Sequence, residues 1–83
     1  MELKGKNIFI RTVTNYYTGY VAEETKKWFK LEKAAWIADT GRFMDAVAKA
    51  DFSEVEPYAL PVYVMKSAIV DITEIGNLPT KQK

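Results

Sequence analysis

The sequence has neither cysteine nor histidine among its 83 residues. The absence of cysteine excludes disulfides, thiolate metal sites and thiol nucleophiles. The absence of histidine removes the most common metal ligand and the most common general base. Paired acids occur, but no nucleophile motif and no glycine-rich phosphate loop accompanies them. We therefore expect a protein that is not an enzyme and that needs no cofactor or metal.

Long apolar runs are also missing, since no stretch approaches the roughly 20 residues of a membrane span. Residues 1–6 are polar and do not resemble a secretory leader, so the cytoplasm is the default expectation. A typical domain has about 100–150 residues, which leaves no room for a second domain here. Apolar residues make up 48% and aromatic residues 13% of the chain, a composition typical of a folded protein.

Charge is distributed unevenly behind a net value of +1. Residues 1–33 are net basic, residues 34–75 are net acidic, and the tail adds Lys81 and Lys83. A basic field over the whole molecule is therefore absent. The densest basic cluster is Lys26, Lys27, Lys30 and Lys33. It is either a solvated strand face, where lysine discourages aggregation, or a surface that contacts phosphates.

The first half of the chain has the features of β-strands: residues 7–13 are rich in β-branched and aromatic residues, and the start of 28–37 alternates between two faces. Residues 7–13 predict one strand, with Ile8 and Ile10 on one face and Phe9 on the other. We expect a turn at 15–18, a second strand at 19–24, a polar connection at 25–27 and a third strand at 28–37. A helix over 23–37 is the alternative, because glutamate, lysine, leucine and alanine are good helix formers.

The second half is less regular. Residues 39–41 predict a break, and residues 42–51 a short helix, with a strand over 42–47 as the alternative. Residues 51–61 contain two prolines and three acids, which is typical of a loop. Residues 62–65 and 68–75 predict the last two strands, and residues 77–83 a flexible tail.

Five short strands in so short a chain favour an all-β fold in which a bent sheet closes into a small barrel. The barrel would carry an irregular or short helical insertion at about 39–61, before the last two strands. Alternation within the strands gives the expected core: Ile8, Ile10, Val21, Phe29, Leu31, Val64 and Ile69.

The last two strands carry a resemblance to a known family. Residues 63–72, with Lys66-Ser67 followed by Ala68-Ile69, resemble the second signature of the Sm/LSm-like proteins, and the Hfq-like members in particular. Gly19 with Val21 two positions on, after a strand and a turn, is similar to the first signature. The resemblance implies an Sm-like (SH3-type) five-stranded barrel over residues 1–76. A chain this short would suit a divergent member of phage or environmental origin.

The same resemblance implies RNA or single-stranded nucleic-acid binding by a homo-oligomeric ring of five to seven subunits. We expect Trp28 to be exposed among lysines and to stack on a base, and Lys27 and Lys66 to contact phosphates. The alternative for Trp28 is a structural role, in which it packs against a neighbouring segment or subunit. The alternative for Lys66 is that it belongs to an ordinary hairpin turn without a binding role. The expected nucleic-acid-binding residues are Trp28, Lys27, Lys66, Ser67, Tyr16 and Tyr17.

Two other functions stay open at this point. A structural or protein-interaction barrel without nucleic-acid binding agrees with the near-neutral net charge. The second is a ring that binds small nucleotides between its subunits. Nucleic-acid binding through phosphates weakens steeply with salt, so a titration at low and high salt separates the possibilities.

Overall fold

The computed structural model describes residues 2–83, and within them the all-β prediction is confirmed. Six strands, one short helix and a 3₁₀ turn follow one another along this part of the chain. In order they are β1 (Asn7–Thr12), β2 (Tyr16–Glu24), β3 (Trp28–Asp39), α1 (Phe43–Lys49), β4 (Glu54–Pro57), β5 (Val62–Met65), the 3₁₀ turn (Lys66–Ala68) and β6 (Ile69–Glu74).

The strands form one antiparallel sheet in the order β4-β3-β2-β1-β6. The 12-residue β3 pairs with β2 along one edge. Its other edge is shared, with β5 on the first half of β3 and β4 on the second half. The 3₁₀ turn then carries the chain from β5, beside β3, to β6, beside β1. The sheet is therefore strongly curved, but β5 and β6 do not pair, and the sheet is not closed.

One extra residue in β3 changes the side of the sheet to which its side chains point. The pairing moves from Tyr20 opposite Glu32 to Thr18 opposite Ala35. Lys33 lies in this bulge with a φ of 51°, a left-handed conformation that residues other than glycine rarely adopt. Regular alternation would place Ile37 on the same face as Leu31, but the bulge places it on the opposite face.

The sheet consequently has a hydrophobic cluster on each face. We call the first face the core face; its buried residues are Ile8, Ile10, Val21, Phe29, Leu31, Ala34 and Val64. The second is the helix face, on which α1 and the residues after it pack against the sheet; its buried residues are Phe9, Ala35, Ile37, Ala46, Val47, Phe52 and Val55. The predicted core corresponds to the core face, except that Ile69 is half-buried at its margin.

Several sequence-based boundaries need correction. The first turn ends at Asn15, because the Thr12 hydroxyl accepts the Asn15 N–H and donates to the Asn15 carbonyl, so β2 begins at Tyr16. Residues 51–61 are not all loop, since they contain β4, which buries Val55. The helix predicted in residues 42–51 is confirmed, and the strand alternative for that segment is wrong. The helix alternative for 23–37 is also wrong.

The residues after β6 run from the β6 edge of the sheet to the β4 edge. Ile75 N–H donates to the Asn7 carbonyl near β1, and Asn7 Nδ2 donates to the Gly76 carbonyl. At the far end, Lys83 and Val55 exchange two backbone hydrogen bonds of 2.9 and 3.0 Å along the outer edge of β4. The flexibility of residues 77–83 stays a prediction. No helix in residues 2–83 is long and apolar enough to cross a membrane.

Candidate nucleic-acid interface

Trp28 and Tyr63 form an aromatic pair on a part of the sheet that α1 does not cover. Their ring centroids are 5.0 Å apart and the ring planes meet at 81°. Trp28 stands opposite Met65 across the β3–β5 ladder, and Tyr63 stands opposite Lys30. Trp28 is half-buried against Tyr63 rather than fully exposed, whereas Tyr63 is 49% exposed and Met65 45%. Partly exposed ring faces of this kind offer a surface on which bases stack.

One lysine lies over this aromatic pair, and two more stand in the turn that leads into Trp28. The Lys30 Nζ lies 6.0 Å from the centre of the Tyr63 ring and 3.9 Å from a carboxylate oxygen of Glu23. Lys26 and Lys27 are exposed in the β2–β3 turn, and neither belongs to an ion pair within residues 2–83. We call the whole set the basic aromatic patch: Lys26, Lys27, Trp28, Lys30, Tyr63 and Met65.

The turn that presents these lysines is held by Thr25. The Thr25 hydroxyl oxygen accepts hydrogen bonds from the backbone N–H groups of Lys27 and Trp28, each at 3.1 Å. The backbone N–H of Thr25 donates to the Trp28 carbonyl at 2.9 Å. The Lys27 carbonyl in turn accepts the N–H of Lys66 at 2.8 Å. The turn is therefore fixed against the 3₁₀ turn after β5, which gives the patch a defined backbone.

Lys66 points to the core face, away from Trp28. Its ammonium donates to Glu24 at 2.7 Å and lies 4.8 Å from the centre of the Phe29 ring. The Glu24 side chain is only 7% exposed, and its other oxygen accepts the Leu3 N–H. Burial acts to raise the pKa of Glu24, but the hydrogen bonds from Lys66 and Leu3 and the Lys66 charge together hold it below its usual value. Lys66 thus shares its charge with a buried carboxylate, and its role in phosphate contact stays a prediction.

The remaining residues of the predicted site lie in two other places. Ser67 is exposed in the 3₁₀ turn. Tyr16 and Tyr17 stand opposite Ile37 and Trp36, at the far end of β3 from Trp28. Tyr16 packs its ring against Phe9 and Phe43, with centroids 5.6 and 6.2 Å apart. The structure therefore brings Lys27 and Trp28 together and leaves the two tyrosines outside that surface.

The sequence interpretation did not single out Tyr63 and Met65. The signal that identifies them is the alternation within β5, where Val64 faces the core and Tyr63 and Met65 face outward. Lys30 belonged to the basic cluster that the sequence indicated, and its position over Tyr63 makes it part of the patch.

No protein-family model, curated protein or solved structure matches this chain.

Proposed function

We propose that the chain binds RNA or another single-stranded nucleic acid, without catalysis, as an Sm-like ring of identical subunits. The observation that carries the proposal is the basic aromatic patch. Two partly exposed rings meet there at nearly a right angle, with Lys30 over the Tyr63 ring. Lys26 and Lys27 lie in the turn that leads into Trp28, and neither is ion-paired within residues 2–83. Stacking rings with adjacent cations are the combination that sequence-tolerant binding of single strands requires.

In this mechanism each part of the patch has its own role. Trp28 and Tyr63 stack on bases, which contributes about 1–3 kcal/mol per base. Lys27, together with Lys26 and Lys30, contacts the phosphates and releases their counterions, so the affinity falls as salt rises. Repetition of the patch around a ring adds avidity, because several bases of one strand are bound at once.

Two open strand edges support the ring. Among residues 2–83, β5 pairs with β3 on one edge only, and β6 pairs with β1 on one edge only. Beside β6 lies a pocket of about 390 Å³ whose apolar lining includes Leu3, Ile69 and Ile72, and Val70 at its border is 57% exposed. Pairing of β5 from one subunit with β6 of the next would cover these groups. That arrangement is head-to-tail, and its repetition closes a ring when the rotation allows it.

The binding test compares the two tryptophans of β3. We expect Trp28→Ala to weaken binding of a labelled single-stranded RNA by about 1–3 kcal/mol per base stacked, measured by fluorescence anisotropy. Trp36→Ala is the matched control and should bind like the parent, since Trp36 lies outside the patch. Lys27→Ala should reduce the salt slope by about one unit for each phosphate that Lys27 neutralises. Parent-like binding by both Trp28→Ala and Lys27→Ala would show that the patch is not the site.

Sedimentation equilibrium tests the assembly separately. At micromolar concentration we expect a species of five to seven subunits. Val70→Lys should dissociate it, because the charge would be buried between subunits, whereas Met44→Lys should not. Met44 is 69% exposed and lies on α1, outside the two open edges, so it serves as the matched control. A parent protein that sediments as a monomer would contradict the ring.

A further inference from the structure

The second tryptophan of β3 lies in a quite different aromatic group. Trp36 is 41% exposed and stands opposite Tyr17 on β2 and Glu56 on β4. The Tyr17 ring centroid is 6.3 Å from that of Tyr58, which is itself 41% exposed. Burial, and then the neighbouring Tyr17, raise the pKa of Tyr58, as expected for rings that pack together. Leu60, two positions after Tyr58, is 76% exposed.

Acidic side chains surround this group on the β4 side. Glu56 is directly opposite Trp36, so the two side chains point to the same side of the sheet. Glu54 is two positions away on β4 and shares that side, and it stands opposite Asp39. None of these three acids belongs to an ion pair among the residues from 2 to 83. Lys33, in the bulge, borders Tyr58 on the other side. We call this set the acidic aromatic patch: Tyr17, Trp36, Asp39, Glu54, Glu56 and Tyr58.

The charge of this patch decides which class of partner fits it. A phosphate backbone would be repelled by three carboxylates, none of which is ion-paired within residues 2–83. A guanidinium group, in contrast, stacks on a tryptophan face and can donate two parallel hydrogen bonds to a carboxylate through its planar fork. Tryptophan and tyrosine are also the residues that most often dominate binding at protein interfaces.

We propose that the acidic aromatic patch docks an extended, arginine-containing segment of a partner protein. One arginine of the segment lies over Trp36 and donates to Glu56, and an adjacent apolar residue packs on Tyr17 and Tyr58. The patch lies on the other end and the other side of β3 from the basic aromatic patch, so this docking does not depend on nucleic-acid binding.

The two tryptophans give a direct experiment. Each indole N–H has its own signal in a proton–nitrogen NMR spectrum, and the Trp28→Ala and Trp36→Ala variants assign them. The probes are a short synthetic peptide with two arginines and one leucine, and a second peptide with glutamate in place of arginine. We expect the arginine peptide to shift the Trp36 signal and leave Trp28 unchanged, and the glutamate peptide to shift neither. A shift confined to Trp28, or no shift at all, overturns the proposal.

A charge variant keeps the test decisive if Trp36→Ala alters the fold. The exposed pair Glu54→Gln and Glu56→Gln, made together, should weaken the arginine peptide about tenfold or more while the NMR spectrum stays folded. The matched control Glu23→Gln, beside the basic aromatic patch, should leave the peptide affinity unchanged. Equal affinity for the parent and the Glu54/Glu56 variant would overturn the proposal, whatever the outcome of the RNA titrations.

Discussion

The two halves of β3 each present a tryptophan, and the two sites differ in almost every other respect. Trp28 is half-buried beside Tyr63 and lysines, on the side opposite the core face. Trp36 is more exposed, lies on the core-face side and is bordered by acids. Eight positions separate them, so a regular strand would have turned both rings to the same side.

The difference follows from one backbone position and from the neighbouring strands. The bulge at Lys33 reverses the alternation of side chains along β3. In the second half of the strand, Ile37 therefore lies on the helix face and Trp36 on the core-face side. The first half is flanked by β5 and the lysine-bearing turn, and the second by the acidic strand β4. The same strand can therefore carry two surfaces of opposite charge.

The largest effect is expected from Lys33→Pro. Proline fixes φ near −65° and cannot adopt the 51° found here, so the bulge would be lost and the protein destabilised by about 3 kcal/mol or more. Chemical denaturation followed by circular dichroism measures this. Lys33→Gly is the matched control, because glycine tolerates a positive φ, and its stability should stay within about 1 kcal/mol of the parent. Similar destabilisation in both variants would mean that the backbone conformation at Lys33 is not what matters.

Truncation of one buried side chain in each half of β3 compares how much the two hydrophobic clusters contribute to stability. Leu31→Ala on the core face and Ile37→Ala on the helix face should each cost about 2–5 kcal/mol, because both side chains are at most 1% exposed. Urea titrations give both values. Glu32→Ala, exposed between the two clusters, should change the stability by less than about 0.5 kcal/mol. If Ile37→Ala proved as mild as Glu32→Ala, the helix face would not be a core of its own.

Removal of the partly buried Lys66–Glu24 ion pair should have a smaller effect that depends on pH. Glu24→Gln leaves Lys66 without its acidic partner and should cost about 1–3 kcal/mol near neutral pH. Since the folded pKa of Glu24 lies below its usual 4.5, the ion pair stabilises the protein above that pH and ceases to do so as the pH falls through the folded value. The difference between parent and variant should therefore shrink from pH 7 to pH 3 in denaturation experiments.

Asp51→Asn is the matched control for that experiment. The hydrogen bond and charge of Lys83 lower the pKa of Asp51, but this ion pair is exposed and screened by solvent. We expect a much smaller pH-dependent change than for Glu24→Gln. A Glu24→Gln variant whose deficit is the same at pH 7 and pH 3 would contradict the electrostatic explanation.

The smallest effect is a gain of stability where β2 pairs with the second half of β3. Thr18 stands opposite Ala35, is fully buried, and its hydroxyl has no hydrogen-bond partner in the structure of residues 2–83. Thr18→Val removes the unpaired hydroxyl with little change of shape and should stabilise the protein by about 1 kcal/mol. Thr12→Val is the contrasting variant and should destabilise it, because the Thr12 hydroxyl bonds Asn15. Thermal melts of the two variants should move in opposite directions.

β-branched and aromatic residues, together with alternation at the start of β3, made part of this architecture predictable. β1, the first half of β3 and β5 were expected near their observed positions, and so were most residues of the core face. β4 was missed because prolines and acids surround its single buried residue, Val55. The helix face was missed because a period of two cannot anticipate the bulge at Lys33. Of the candidate site, Lys27 and Trp28 were predictable from local sequence, whereas Tyr63 joins them only through the pairing of β5 with β3.

The backbone pairing of Lys83 with Val55 has a kinetic consequence. The Val55 N–H is bonded to the Lys83 carbonyl, outside the β3–β4 ladder, so solvent reaches it whenever the tail releases the edge of β4. Its hydrogen-exchange rate therefore reports tail release, while exchange at the buried centre of the sheet requires wider unfolding. The exchange rate of this one amide thus measures how often the tail, which links the β6 edge to the β4 edge, detaches from β4, without any label on the tail itself.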